Sequence, residues 1–169
     1  ETIRFFTDLF QADGPLLSLL DANHTFVNAE LANFYGLTVP ETTETWFQVS
    51  DVNQAGRGGI LGFATTLAKQ SGASRTSPIL RGNWISETLL GERLPKPPRD
   101  VPQLPAEVPF GLSERELIAK HSADPSCAKC HAKIDPYGFA LENFDAIGRW
   151  RGNSNTQAVL PDGKSIEGI

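Results

Sequence analysis

The stretch Cys127-Ala128-Lys129-Cys130-His131 is the most informative part of the 169-residue sequence. On a helix, cysteines at i and i+3 and a histidine at i+4 lie on one face. Covalent attachment of a c-type haem requires this arrangement, because two thiols bond to the porphyrin vinyl groups and the adjacent imidazole coordinates the iron. The stretch therefore predicts one covalent haem c, held by Cys127, Cys130 and His131.

Two other kinds of site can be built from a pair of cysteines and a histidine. A zinc site needs four ligands, and the sequence has no second Cys-x-x-Cys pair, which leaves only His121 and His24 to complete it. A thioredoxin-like redox pair follows a strand in a parallel α/β pattern, and the surrounding sequence lacks this pattern. Zinc and a structural or redox disulfide stay open as alternatives, with haem favoured.

The second axial position of the iron is less determined than the first. The sequence contains no methionine, so this chain cannot supply the common thioether ligand. His121, six residues before Cys127, and His24 are the two remaining histidines. We predict His121 as the distal ligand ahead of His24, with an open iron or one capped by tyrosine or lysine as the alternatives.

Aromatic and basic residues follow the Cys-x-x-Cys-His motif. Tyr137, Phe139 and Trp150 could wall a porphyrin, and ordinary core packing is the alternative. Arg149 could pair with propionate carboxylates, since a guanidinium suits their geometry, and a surface ion pair is the alternative. We include these four residues as candidate haem-binding residues.

Outside the motif, the sequence predicts short helices with recognisable ends. The spacing of Ile3, Phe6 and Phe10 indicates one face of a first helix. The other signals are Asn28 before a helix ending at Gly36, Ser77-Pro78 before a helix running to Gly91, the capping box of Ser113 and Glu116, Asp124-Pro125, and Asp135-Pro136 before a last helix ending at Gly148.

An unusual share of the chain is expected in irregular connections, because it contains 15 glycines and 12 prolines. Six of the prolines fall between Pro95 and Pro109, a density that excludes a helix or a central strand. This segment predicts an extended strap over the surface, with a docking motif for a partner as the alternative. Near the end, Pro161-Asp162-Gly163 between two short extended runs predicts a small β-hairpin.

Composition excludes several classes of protein. The formal net charge of −5 disfavours nucleic acid as a partner, because such binding depends on a basic surface. The apolar runs are far shorter than the roughly 20 residues of a membrane-spanning helix. Two cysteines are too few for a disulfide-built secreted domain. We therefore expect a protein that folds around a core, with no nucleic-acid partner and no membrane span.

Several separate blocks of the sequence occur in the order of a known family. They are residues 25–28, 31–32, 35–36, 57–62, 75–82, the proline strap, His121 through His131, 134–145 and 148–151. Together they resemble the haem-binding region, made of tandem domains of unknown function, of large secreted planctomycete-type cytochrome c proteins. The resemblance covers roughly residues 15 to 169.

This resemblance implies a single haem c on Cys127, Cys130 and His131, in a module of a longer exported protein. The first residues carry no secretory signal, which agrees with a piece of a longer or processed chain. His121 matches a histidine of the family pattern, whereas His24 stands where the family is expected to have tyrosine. Because haem ligation takes place outside the cytoplasmic membrane, we expect a periplasmic or extracellular protein.

The expected fold is mainly α, a cytochrome c-like helical haem domain with long proline- and glycine-rich loops and a small C-terminal β-hairpin. Residues 1–56 are expected to form an N-terminal helical segment packed on the haem domain, 57–112 helices and the strap, and 113–169 the haem motif and hairpin, all within one compact domain. The expected function is electron transfer with a redox partner protein or a neighbouring domain. The alternatives are a peroxidase- or oxygenase-like haem enzyme and a zinc or metal-free interaction module.

Overall fold

The computed structural model describes residues 1–38, 45–73, 75–95, 104–105 and 108–152, and the backbone of residues 158–159 and 165–166. About half of these residues are helical, which agrees in part with the predicted mainly α fold. The α-helices are α1 (Thr2–Gln11), α2 (Ser18–Asp21), α3 (Ala29–Tyr35), α4 (Ala64–Lys69), α5 (Pro78–Trp84), α6 (Glu114–Ser122) and α7 (Pro125–Ala140). Two short 3-10 helices, Val52–Ala55 and Ile60–Gly62, and a π-helical turn, Ile85–Leu89, complete the helical structure of this part of the chain.

Within the described part of the chain, four short strands form two separate antiparallel pairs. Strand β1 (His24–Val27) pairs with β2 (Phe47–Ser50), and β3 (Ala158–Val159) pairs with β4 (Ser165–Ile166). The second pair agrees with the predicted C-terminal hairpin, whose Pro-Asp-Gly turn lies outside the described residues. The first pair was not predicted from the sequence. Most of the proline strap also lies outside the described residues.

The chain divides into two compact units. Unit 1 contains Glu1–Lys69 and Asn143–Gly152, and unit 2 contains Gln70–Glu142 together with β3 and β4. The organisation into segments 1–56, 57–112 and 113–169 of one compact domain stays a prediction. No helix among the described residues is long and apolar enough to span a membrane.

Helix α1 forms where the apolar spacing predicts it, but it buries a different face. Ile3 and Phe10 are 83% and 71% exposed, so the face that their spacing marks is not the one that packs on the core. Phe5 and Leu9, one turn apart, are the buried residues. The Phe5 ring packs edge-on against Phe63, with ring centroids 5.1 Å apart, and this contact selects the face.

Helix α3 begins and ends at the predicted signals in unit 1. The Asn28 side chain accepts a hydrogen bond from the Leu31 N–H at 2.8 Å, and Gly36 ends the helix with φ +70°. The inner faces of α3, β1 and β2 then bury a small apolar cluster, which comprises Val27, Ala32, Tyr35 and Phe47.

Arg57 lies buried at the centre of unit 1, with 3% of its surface exposed. Its guanidinium stacks 3.5 Å from the centroid of the Tyr35 ring and donates hydrogen bonds to the carbonyls of Gly62 and Gly148, each at 2.7 Å. Burial lowers the pKa of this guanidinium and raises the pKa of Tyr35. Arg57 therefore joins the 3-10 helix Ile60–Gly62 to the segment 143–152.

Helices α5 and α7 of unit 2 cross at two glycines. A Cβ atom on Gly82 would lie 1.9 Å from the Ile134 carbonyl oxygen, and one on Gly138 would lie 1.9 Å from the Pro78 carbonyl oxygen. The two backbones thus touch without intervening side chains. Arg81 of α5, 1% exposed, also donates to the Leu141 carbonyl at 2.8 Å, at the C-terminal end of α7.

Helix α7 is continuous where the sequence predicts two helices. It begins at the predicted cap, since the Asp124 carboxylate accepts from the Ser126 N–H at 2.8 Å, but it runs through Pro136 and ends at Ala140 instead of Gly148. An interior proline removes one helical hydrogen bond and ordinarily costs about 3 kcal/mol. Burial of Ile134, Pro136 and Gly138 offsets this cost and keeps the helix unbroken.

Helix α6 begins with the predicted capping box. Ser113 Oγ accepts from the Glu116 N–H at 3.2 Å, while the Glu116 carboxylate accepts from the Ser113 N–H at 2.7 Å. The Ser113 N–H and the Ser113 hydroxyl both donate to the Glu116 carboxylate, and this holds the pKa of Glu116 below its usual value. The start of α6 is therefore set by its own first turn.

Candidate functional site

The first half of α7 carries Cys127, Cys130 and His131 on one face. Both cysteines are free thiols of intermediate exposure, and His131 is buried, with 8% of its surface exposed. The structure thus places the three residues of the motif in the helical setting that the sequence predicts. It leaves both sulfurs available for covalent attachment.

A carboxylate on the next turn of α7 orients His131. The Nδ1 atom of His131 lies 2.8 Å from Oδ1 of Asp135, and the two side chains are only 10% and 13% exposed. Because a carboxylate oxygen can only accept, Nδ1 carries the hydrogen and donates a hydrogen bond to Asp135. In the neutral ring, Nε2 then keeps the lone pair with which it could bind a metal.

Asp135 was missed as a site residue in the sequence, where Asp135-Pro136 was interpreted as a helix start. The signal that would have found it is its spacing from His131, since residues i and i+4 of one helix are neighbours. This spacing has meaning only if the helix continues through Pro136, as it does here.

His121, the predicted distal ligand, lies next to His131 in unit 2. The two rings meet edge to face, with centroids 5.3 Å apart and an interplanar angle of 71°. Two axial ligands on opposite faces of one haem cannot touch each other, because the macrocycle lies between them. His121 can therefore serve as the distal ligand only if α6 moves relative to α7.

The Arg115 guanidinium links α6 to the C-terminal end of α7 and to Glu142, just after this helix. Arg115 donates from Nε and Nη2 to Glu142 Oε2, at 3.2 and 3.0 Å, and its guanidinium lies 4.2 Å from the centroid of the Phe139 ring. Phe139 is thus part of the contact between these helices. Tyr137, the other aromatic candidate on α7, is partly exposed.

The remaining candidates lie in unit 1 and have packing contacts there. The His24 ring lies 5.5 Å from the Phe5 ring, and its Nε2 is 3.8 Å from Asp8. The guanidinium of Arg149, which is exposed, lies 5.4 Å from the Phe34 ring centroid. The Trp150 ring packs on Phe144, with centroids 5.1 Å apart. Their haem-binding roles stay predictions.

The residues on α7 fit a covalent haem c. Two free thiols lie one turn apart, and the imidazole beside them has its Nδ1 hydrogen-bonded to Asp135, which is the donor set that this cofactor uses. A bare metal ion finds less support. Within the described ranges, no three His, Cys, Asp or Glu side chains converge on one point.

Two family models match the chain. Residues 57–154, more than half of the sequence, match PSCyt3, a protein of unknown function (DUF1588), and residues 1–37 match PSD4, a protein of unknown function (DUF1592). By name, both are planctomycete-type cytochrome c domains, which confirms the resemblance found in the sequence. Neither a curated protein nor a solved structure matches the chain.

Proposed function

We propose, from the premise that this chain belongs to the PSCyt3 family, that it is a single-haem c-type cytochrome module that transfers electrons. The observation that carries the proposal is the face of α7 on which two free thiols adjoin an imidazole with its Nδ1 bound to Asp135. Haem supplies one-electron chemistry when it is bound, as its iron alternates between ferric and ferrous states.

Each residue of this face has a distinct role in holding the cofactor. The thiols of Cys127 and Cys130 would each hold one vinyl group of the porphyrin through a thioether, with the thiol hydrogen going to the other vinyl carbon. His131 offers Nε2 to the iron, while its hydrogen bond to Asp135 prevents the ring from turning away. These three residues of α7 would together hold the porphyrin and its iron.

The proposed setting is a cytochrome c-like fold in an exported protein. Haem ligation outside the cytoplasmic membrane supports a periplasmic or extracellular location. The electron is passed to a redox partner protein or to a neighbouring domain of the same protein. With a formal net charge of −5, the chain is not expected to bind nucleic acid.

The proposal is tested by exporting the chain in a host with haem c ligation machinery. We expect a coloured protein whose intact mass includes one haem and whose alkaline pyridine spectrum is that of haem c. Replacing both Cys127 and Cys130 with serine is expected to abolish covalent haem. Lys129→Ala, which changes an exposed residue between the two cysteines, is the matched control and is expected to keep it. A wild-type chain of bare polypeptide mass with both thiols free would contradict the proposal.

His121 is proposed as the distal ligand. This requires α6 to move so that the His121 ring leaves its contact with the His131 ring. We expect the ferric wild type to show a low-spin electron paramagnetic resonance spectrum, and His121→Ala to convert it to high spin. His24→Ala, a histidine packed on Phe5 in unit 1, is the control and is expected to stay low spin. Retention of the low-spin signal in His121→Ala would exclude His121.

The edge contact between His121 and His131 favours a second candidate function. If α6 stays in this position, the distal face of the iron takes no ligand from His121, as in a peroxidase- or oxygenase-like haem domain. Binding of cyanide by the wild type as fast as by His121→Ala would favour this enzyme. Slow or absent binding by the wild type alone would favour electron transfer.

A further inference from the structure

We propose that Asp135 sets the reduction potential of the iron through His131, stabilising the ferric state. This inference rests on the proposed function, because it concerns the haem that His131 would ligate. It adds a positioning residue whose negative charge, and not only its hydrogen bond, acts on the cofactor.

The geometry of the Asp135–His131 pair supports a strong interaction. Its 2.8 Å distance lies within the range of charge-assisted hydrogen bonds, and both side chains are mostly shielded from water. An interaction between charged or polar groups is stronger in such surroundings than in solvent. The carboxylate therefore has a direct and weakly screened influence on the ring.

The backbone around Asp135 keeps the carboxylate in this place. Its neighbours Ile134 and Pro136 are buried, and the Ile134 carbonyl lies at the close crossing of α7 with α5, against Gly82. Asp135 and His131 also lie on the same unbroken helix, so the backbone keeps them one turn apart. The pair is held by the same packing that keeps α7 continuous through its proline.

The carboxylate of Asp135 interacts with His131 and not with a neighbouring lysine or arginine of the described residues. Among the described residues, Asp135 has no lysine or arginine partner, and Lys133, on the same helix, is paired with Glu92 instead. The other acidic residue at this helix, Asp124, caps the exposed first turn and bonds to Ser126. Asp135 is therefore placed differently from an ordinary surface carboxylate.

A carboxylate that accepts the Nδ1 proton increases the electron density at Nε2 and makes the histidine a stronger donor. The ferric iron carries one more positive charge than the ferrous iron, so a stronger donor stabilises it more. The expected consequence is a lower midpoint potential than the same site would have with a neutral acceptor at position 135.

The test compares Asp135→Asn with Asp124→Asn in the haem-loaded protein. The amide oxygen that Asp135→Asn introduces can still accept from Nδ1, so the ring stays oriented and only the charge is lost. Asp124→Asn removes the same charge from the same helix and keeps a good capping residue. Redox titration is expected to show a ferrous-to-ferric ratio at fixed potential that is roughly tenfold higher in Asp135→Asn, about 59 mV for one electron. The change in Asp124→Asn is expected to be less than a third of this.

A second variant guards against misfolding of the first. Asp135→Glu keeps the charge, and its potential is expected to lie closer to the wild type than that of Asp135→Asn. Equal shifts in Asp135→Asn and Asp124→Asn, or no shift in Asp135→Asn with haem c attached, would overturn the inference and leave the proposed function standing. A wild-type protein that attaches no haem would overturn both, and the pyridine spectrum separates this outcome from the others.

Discussion

Alanine in place of Gly138 is expected to destabilise unit 2 by more than about 4 kcal/mol, although alanine is the better helix former. The new Cβ would lie 1.9 Å from the Pro78 carbonyl oxygen, and Gly82→Ala would bring its Cβ equally close to the Ile134 carbonyl oxygen. Both obstacles are backbone atoms, so neither contact is relieved by a rotamer change. Relief requires α5 and α7 to separate, which exposes the apolar residues buried between them.

The sign of this effect distinguishes tertiary packing from helix propensity. Propensity alone predicts a gain of roughly 0.5–1 kcal/mol for glycine to alanine within a helix. Urea unfolding of the two variants measures the change, and Leu80→Ala on α5 is the control. Leu80 is 46% exposed, so its truncation is expected to cost about 1 kcal/mol or less. Wild-type stability in Gly82→Ala or Gly138→Ala would show that the helices do not cross in this way.

Replacing Arg57 with methionine is expected to destabilise unit 1 by about 3 kcal/mol. The change removes two charge-assisted hydrogen bonds and leaves the carbonyls of Gly62 and Gly148 without these donors inside the core. It also removes the guanidinium that stacks on the Tyr35 ring. The variant no longer has to keep a charge away from water, and this gain partly offsets the lost contacts. The net loss of unfolding free energy is therefore smaller than the sum of the contributions of those contacts.

Arg57→Lys separates shape from charge in the same unfolding experiment. An ammonium group is compact and cannot reach two carbonyls while stacking on a ring, so we expect only partial recovery of stability. Arg4→Met is the control, because Arg4 is exposed and its guanidinium lies 5.6 Å from the Trp46 ring centroid. Its effect is expected within about 0.5 kcal/mol. A free energy of unfolding equal to that of the wild type in Arg57→Lys would show that the planar shape of the guanidinium is not needed.

Features that depend on a few neighbouring residues were predictable from the sequence. Asn28, Ser113 and Asp124 cap helices as expected, since each satisfies an N–H two or three residues ahead of it. The common face of Cys127, Cys130 and His131 follows in the same way from their spacing on a helix. The cofactor that this face would hold stays a prediction.

Features that depend on distant parts of the chain were not predictable. Arg57 and Arg81 are among the most buried side chains, although charged residues usually lie outside, because their partners include backbone carbonyls that no sequence pattern marks. The pairing of β1 with β2 joins residues that are far apart along the chain, such as His24 and Ser50. The sequence places Pro136 at a helix start, since proline is disfavoured inside a helix. Its position within α7 depends on packing, which the local sequence does not show. This error also concealed Asp135 as the partner of His131.

Helices α5 and α7 cross with their backbones in direct contact, and this determines how a displacement of one helix reaches the other. Side chains at a helix interface can change rotamer and absorb a small rotation, whereas two backbones in direct contact have no such freedom. A tilt of α7 that begins beside His131 is therefore transmitted to α5 as the displacement of a rigid body. The exposed surface of α5, which includes Leu80, would then respond mechanically to events at the histidine.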